Sequence, residues 1–237
     1  MSNDNRSKKK QGNRKGKKAP LAFEFDEVEK HYGDVIAVGP VSFTIEAGQA
    51  VALVGHNGSG KSTLLSMAAG VADVSEGSVH IVGSEAGSSA ARAALSYIPD
   101  HPVLYDDLSL WEHVEYLSHL HGSTPEAHDA EGLIDRLGLA SRVDDLPSTF
   151  SRGLRQKSAI VVGLCRPFAT LVIDEPFSGL DRTGREALLE LIAEVRDERG
   201  SVLVATHDPQ MLDVFDRAVM LEQGEVVFDG AAEDLKI

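Results

Sequence analysis

The sequence predicts an α/β fold: a parallel core sheet, a flanking antiparallel β-subdomain and an inserted α-helical lobe. Three observations lead there. An apolar run, Val51-Ala52-Leu53-Val54, feeds a glycine-rich loop and then a helical stretch from Thr63 to Ala69, the strand–loop–helix order that opens a parallel sheet. Short apolar or β-branched runs at 171–174, 202–205, 217–221 and 225–228 alternate with helical patterns at 181–198 and 209–215. Between about 99 and 165 the apolar spacing turns helical.

Each element has its own signal. In residues 21–98, Phe23, Phe25 and Val28, then Val41, Phe43 and Ile45, then Val79 and Ile81, alternate as antiparallel strands do around the loop. Ser109-Leu110-Trp111-Glu112 is a capping box, a serine at the N-cap with an acid three residues on. Leu108, Trp111, Val114, Leu117 and Leu120 then recur every three residues, a stripe expected to be core. Glu131 to Leu139 continues as helix, and another helix is expected to start after Ser151. The division is a basic tail at 1–20, expected not to fold because it is so polar, and one domain at 21–237 with its helical lobe at about 99–165. No internal repeat is present.

The loop itself, Gly55-His56-Asn57-Gly58-Ser59-Gly60-Lys61-Ser62, matches G-x-x-x-x-G-K-[ST] in full. Its glycines let backbone N–H groups curl around a triphosphate, and the helix behind it adds partial positive charge. Lys61 can reach the β- and γ-phosphates and Ser62 can offer its hydroxyl to Mg²⁺. The predicted core is therefore a P-loop NTPase core.

A second unit supplies the partners that loop needs. The run Ala169-Thr170-Leu171-Val172-Ile173 ends in Asp174-Glu175. Adjacent carboxylates at a strand exit point in different directions. Asp174 is expected to serve Mg²⁺, and Glu175 to act as base or water-orienter for attack on the γ-phosphate.

With these residues in view, the chain from about 21 onward resembles the ATP-binding subunit of an ABC transporter. The motifs fall in that family's order. Tyr32 sits where the family places the aromatic that stacks on adenine, and residues 55–63, ending at Thr63, form the phosphate loop. Pro99-Asp100 stands at the usual Pro-Gln, and Phe150-Ser151-Arg152-Gly153-Leu154-Arg155-Gln156-Lys157 resembles the L-S-G-G-Q signature. The carboxylate strand, Ser178-Gly179-Leu180-Asp181 and Ala205-Thr206-His207-Asp208 complete the set. The resemblance implies that His207, on the ligand edge of an open sheet, bonds the γ-phosphate and senses its loss. It implies that Ser151 and Gly153 cap ATP bound by a second copy, so that the working unit is a head-to-tail dimer with ATP and Mg²⁺. It also implies a groove around Asp100 to His119 for a short helix of a transmembrane permease subunit.

Two positions depart from the pattern. Asp100 replaces the glutamine that contributes to the metal sphere, with a side chain one methylene shorter and charged; it is carried forward as a metal candidate. Arg152 replaces the first signature glycine, adding a cation near the phosphate or facing solvent. Together they tilt the subclass toward exporter ATPases with a separately encoded membrane subunit.

Composition narrows the partners. The chain has 237 residues, 42% of them hydrophobic, enough for one substantial core. No apolar run approaches the roughly 20 residues of a membrane-spanning helix. The basic start runs into Leu21-Ala22-Phe23-Glu24-Phe25-Asp26-Glu27, too acidic for a signal-peptide core. One cysteine, Cys165, excludes an internal disulfide and reads as a small core residue in a reducing compartment. Net charge is −14, and because residues 1–20 hold eight Lys/Arg against Asp4, the body is more acidic still. Nucleic acid is not an expected partner of so acidic a body. His113, His119 and His121 are spaced like a metal cluster but lack completing ligands, and are expected at the surface.

The resulting expectation is a peripheral ATPase on the cytoplasmic face of the cell membrane that powers transport, export being the direction favoured. The alternative from another class is a soluble ABC ATPase of a non-transport complex, such as iron–sulfur cluster assembly. A P-loop kinase or GTPase would not need Ser151–Gly153 or His207.

Overall fold

The computed structural model describes residues 20–236; the basic tail expected at 1–20 lies, but for Pro20, outside them. The first layer is antiparallel. Strand β1 (Leu21–Tyr32) turns tightly into β2 (Val35–Glu46), and β4 (Glu76–Ile81) and β5 (Ser84–Glu85) extend the sheet in the order β2-β1-β4-β5. Phe23, Phe25 and Val28 pair with Ile45, Phe43 and Val41 across β1 and β2, and all six are buried. The alternation in the sequence thus becomes one apolar face.

The second layer is the six-stranded sheet β10-β9-β3-β8-β7-β6. It comprises β3 (Ala50–Val54), β6 (Leu95–Ile98), β7 (Thr170–Asp174), β8 (Ser201–Thr206), β9 (Arg217–Glu222) and β10 (Glu225–Ala231). All neighbours are parallel except the terminal β9–β10 hairpin. Helices complete it: α1 (Lys61–Ala68), α2 (Ser89–Ala94), α3 (Leu110–Leu120), α4 (Ala130–Arg136), α5 (Arg152–Leu164) and α6 (Arg182–Asp197). Side chains of the central strands divide between two cores with period two. Ala50, Ala52 and Val54 of β3 join Val202 and Val204 of β8 under α3–α6, whereas Val51, Leu53 and Leu203 face α1 and the antiparallel sheet. A sheet covered on both faces explains why these strands read as unbroken apolar runs.

Several expectations need correction. Residues 89–94 form α2 where only strands were expected; Ser88 accepts from Ala91 N, and a run of alanines follows that cap. The helix expected at 209–215 is a 3₁₀ turn, Pro209–Val214, closed by Phe215 N donating to Leu212 O at 3.0 Å. Its bonds run i→i−3, another being Met211 N donating to Asp208 O at 3.4 Å. The three-residue stripe of α3 drifts off the core face: Val114 is buried, Trp111 and Leu117 half-buried, Leu120 exposed. Steps of three fall short of the 3.6-residue turn, so the buried face is Leu110, His113, Val114 and Ser118 instead.

His113 is therefore not at the surface; it is 2% exposed. Its Nδ1 lies 2.7 Å from Ser109 O and its Nε2 2.8 Å from Tyr105 N. A carbonyl can only accept and a backbone N–H only donate, so Nδ1 carries the proton and the ring is the neutral tautomer that ties residue 105 to α3. Replacing His113 by Ala orphans the Tyr105 N–H, leaves Ser109 O only its helical bond from the residue 113 N–H and opens a cavity. We expect a loss of about 2–4 kcal/mol in urea unfolding; a loss below 0.5 kcal/mol would exclude this clamp.

Candidate functional site

Four strands deliver the site to one edge of the parallel sheet. Val54 pairs with Thr206, Asp174 with Ala205, and Ile98 with Ile173, so β3, β8, β7 and β6 end nearly level. Past those ends come the glycine-rich loop, His207, Glu175 and Asp100. The C-terminal edge of an open α/β sheet is where ligands bind.

The loop's glycines are required by space as well as by conformation. A Cβ on Gly60 would stand 2.8 Å from Ala37 O and 2.9 Å from a Val38 methyl, and Gly60 has φ 103°. A Cβ on Gly55 would collide with Leu221 O and stand 2.6 Å from Ser59 Oγ. The loop is wedged between β2 and the β9–β10 turn, and Gly224 N donates to Ser59 O at 3.0 Å. His56, Asn57 and Gly58 are exposed at its tip. They line, with Ser59 and Leu221–Gln223, a cavity of about 310 Å³. Helix α1 begins directly behind with no side-chain cap and no acid in its first turn, so its first N–H groups are left for an anion. Ser62 and Thr63 lie in that turn, Ser62 exposed and Thr63 half-buried.

Lys61 is 5% exposed, and its ammonium is held by Gly55 O at 2.7 Å, His56 O at 3.2 Å and Glu175 Oε1 at 3.3 Å. Glu175 Oε2 lies 2.7 Å from His207 Nδ1 and also accepts from His207 N at 3.3 Å. One carboxylate thus bridges the loop lysine and the histidine. Glu175 sits beyond the end of β7 with φ 46°, so the left-handed turn, rather than strand alternation, separates its direction from that of Asp174.

Asp174 is 3% exposed, with Oδ1 buried and lacking a hydrogen-bond partner among the described residues. Burial pushes its carboxyl above the usual carboxylate range. A hydrogen bond from Ser62 opposes that rise, the Glu175 and Asp100 charges add to it, and Lys61 opposes it. An unpartnered buried oxygen beside a serine hydroxyl fits a Mg²⁺ that arrives with a triphosphate. No group of three His/Cys/Asp/Glu among the described residues could hold a metal by itself.

The remaining candidates stand apart from this cluster. Tyr32 ends β1 in the antiparallel layer, 55% exposed, with the Lys30 ammonium 5.2 Å from its ring centroid and exposed Val35 and Ile36 across the hairpin. Asp100 is turned toward Arg152, whose Nη2 lies 3.1 Å from Oδ1, and toward His101, whose Nδ1 lies 2.9 Å from Oδ2. Ser151 caps α5, accepting from Leu154 N at 3.3 Å. Gly153 is pressed against the 178–181 loop, where a Cβ would stand 2.5 Å from Gly179 O. Lys157 and Asp181, paired at 2.8 Å, fasten the same contact, and Asp181 also caps α6. No local pattern announces that pairing, which joins two separate segments of the chain.

Comparisons with known proteins agree with this geometry. The family profile described as ABC transporter matches residues 38–178. The chain is 35% identical over 201 residues to the ABC-type transporter ATP-binding protein EcsA of Bacillus subtilis, covering 83% of this chain and 81% of that protein. It is 35% identical over 232 residues to the phosphonates import ATP-binding protein PhnC of Frankia casuarinae, covering 90% and 92%. A solved ATP-binding subunit of an ABC transporter superposes with a TM-score of 0.83 at 31% identity, covering 90% and 91%.

The strain on Asp174 has a measurable sign. Its folded-state pKa is raised, so the ionised form is penalised above that value, and the penalty vanishes once both folded and unfolded chains are protonated. Asp174→Asn should therefore raise the nucleotide-free melting temperature at pH 7. The gain should shrink as pH falls through the carboxylate range toward the unfolded value of about 3.9. A gain that grows on acidification would contradict the desolvation argument.

Proposed function

The chain belongs to the ABC transporter family of ATP-binding proteins, and from that premise we propose that it hydrolyses ATP to power a separate membrane subunit. The single observation that carries the chemistry is the bridge Lys61–Glu175–His207 at the end of the sheet. Without ligand, Lys61 is neutralised by Glu175 and two loop carbonyls. A triphosphate offers it a stronger anion, which leaves Glu175 free to orient water and accept its proton. His207, with Nδ1 bound to Glu175, presents Nε2 toward the γ-phosphate. Ser62 and Asp174 would hold Mg²⁺, which neutralises charge on the β- and γ-oxygens. Tyr32 gives adenine an exposed ring whose direction Lys30 fixes.

A second copy completes the site in this reading. Ser151 and Gly153 start α5 beside Asp100, past β6, three strands from β3 and so roughly 14 Å away at the usual strand spacing. That separation from the chain's own loop supports a role in capping nucleotide on another. No helix among the described residues is long and apolar enough to cross a membrane. Export is the direction proposed, on the departures at Asp100 and Arg152. Because PhnC is named for import, the deciding experiment is ATP-dependent flux in vesicles carrying the co-purified permease. Accumulation only in the import sense would overturn export, and ATPase activity unaffected by any membrane partner would overturn the transport role.

Two substitutions test the chemistry. Lys61→Ala removes the cation from the loop and should reduce ATP binding by at least tenfold in equilibrium titration; wild-type affinity would sink the assignment. Glu175→Gln should keep ATP binding and slow hydrolysis by about 10²–10⁴-fold. Unchanged turnover in that variant rules Glu175 out as the water-activating group.

A further inference from the structure

The two residues that break the family pattern, Asp100 and Arg152, are 52 positions apart in the chain yet form an ion pair at 3.1 Å. Neither residue's neighbours explain the choice. Asp100 follows β6, whose last residue is level with Ile173, so the chain at Asp100 leaves the sheet at the same edge as Asp174 and Glu175. It is close enough for its charge to be felt at Asp174. Both its oxygens are nevertheless engaged elsewhere, one by Arg152 and one by His101.

Arg152 has its own reason to seek an anion. It is the first residue of α5, and that helix has no acid in its first turn. A cation there faces the positive end of the helix dipole, an unfavourable placement. Asp100 supplies, from another segment, the negative charge the first turn lacks. The stem of Arg152 also lies along Gly179, where a Cβ would stand 3.6 Å from its Cγ. Gly153, Lys157 and Asp181 fasten the same corner. Whatever moves Arg152 acts on the start of α5 and the 178–181 loop together.

We propose that Arg152 is a positioning residue that latches Asp100 away from the metal side of the site, so that binding of Mg²⁺–nucleotide must compete with the Asp100–Arg152 pair. The proposal rests on the ATP-site reading above. Asp100 and Arg152 are partly exposed, 29% and 59%. Pairs of that kind contribute about 0.2–1 kcal/mol, strong enough to set a resting arrangement and weak enough for a divalent ion to displace. Released Asp100 faces the same edge as the unpartnered Asp174 oxygen, and released Arg152 leaves the signature end of α5 free to turn toward a phosphate on another chain. The latch thereby links metal occupancy on one side of the chain to the posture of α5 on the other.

The test is equilibrium binding of a fluorescent ATP analogue to the full chain as a function of Mg²⁺, with hydrolysis playing no part in the readout. Arg152→Ala should lower the half-saturating Mg²⁺ concentration about 1.4- to fivefold, the equivalent of the pair strength above. Asp100→Asn should raise it, and the double variant should match Asp100→Asn, since Arg152 acts only through Asp100. Arg152→Lys should stay close to wild type, and 0.5 M salt should shrink the difference between wild type and Arg152→Ala. If Arg152→Ala does not fold, Arg152→Gln takes its place in the same cycle. Coincident curves for wild type and Arg152→Ala, or strictly additive effects of the two substitutions, would overturn the latch. Failure of the underlying reading looks different: the wild type would not bind the analogue, or Lys61→Ala would bind it equally well.

Discussion

Everything at the site hangs on the register of β3, β8, β7 and β6. Val54 opposite Thr206, Ala205 opposite Asp174 and Ile173 opposite Ile98 fix where the phosphate loop, His207, Glu175 and Asp100 leave the sheet. That register is enforced by burial on both faces. Alternate residues of β3 and β8 belong to two different apolar cores, and most of them are 0% exposed. A slip of one residue would exchange those faces along a whole strand. The polar constellation, from segments scattered over more than a hundred residues, is therefore a consequence of apolar packing.

On that scaffold the charges are left incompletely resolved. Lys61 is satisfied by loop carbonyls and Glu175, but Asp174 carries a buried oxygen with no partner among the described residues and a carboxyl held up by desolvation. Glu175 sits in the left-handed region, a backbone conformation that costs a non-glycine residue about 1–3 kcal/mol. Stability is given up at adjoining residues facing the same edge. Such a concentration marks a place where a ligand, rather than the fold, completes the electrostatics.

The sequence made much of this legible, because the informative signals were local. The loop motif, the apolar run into Asp174-Glu175 and the alternation of Phe23, Phe25 and Val28 each lie within a few residues; β7 to β10 coincide with the expected runs to within three residues, whereas β2 begins six residues before its run at 41–45. What stayed hidden depended on distance or on backbone accounting. His113 looked like a surface histidine because its two partners are backbone groups of Tyr105 and Ser109, which no side-chain pattern announces. Residues 209–215 carried helical apolar spacing, which over so few residues does not separate i→i−3 from i→i−4 bonding. Asp100 and Arg152 each read as an isolated departure, since nothing in a linear sequence shows that they meet.

The packing also limits how the helical lobe can move. Leu110, Val114, Ile134, Leu137 and Leu139 from α3, α4 and the turn after α4 share one continuous core with Ala50, Ala52 and Val202 of the sheet. Swinging the lobe away as a separate body would expose that core, and each 100 Å² of apolar surface costs roughly 2.5 kcal/mol. Interactions at the edge of the site are of a different size. The Asp100–Arg152 pair, the Gly153–Gly179 contact and the Lys157–Asp181 pair are few, polar or small, and all gathered at one end of α5. A nucleotide can rearrange those without opening the core. Resistance to motion is thus uneven along α5: the length from Ser158 to Leu164 is buried, whereas the end beginning at Ser151 is exposed and held by those few contacts.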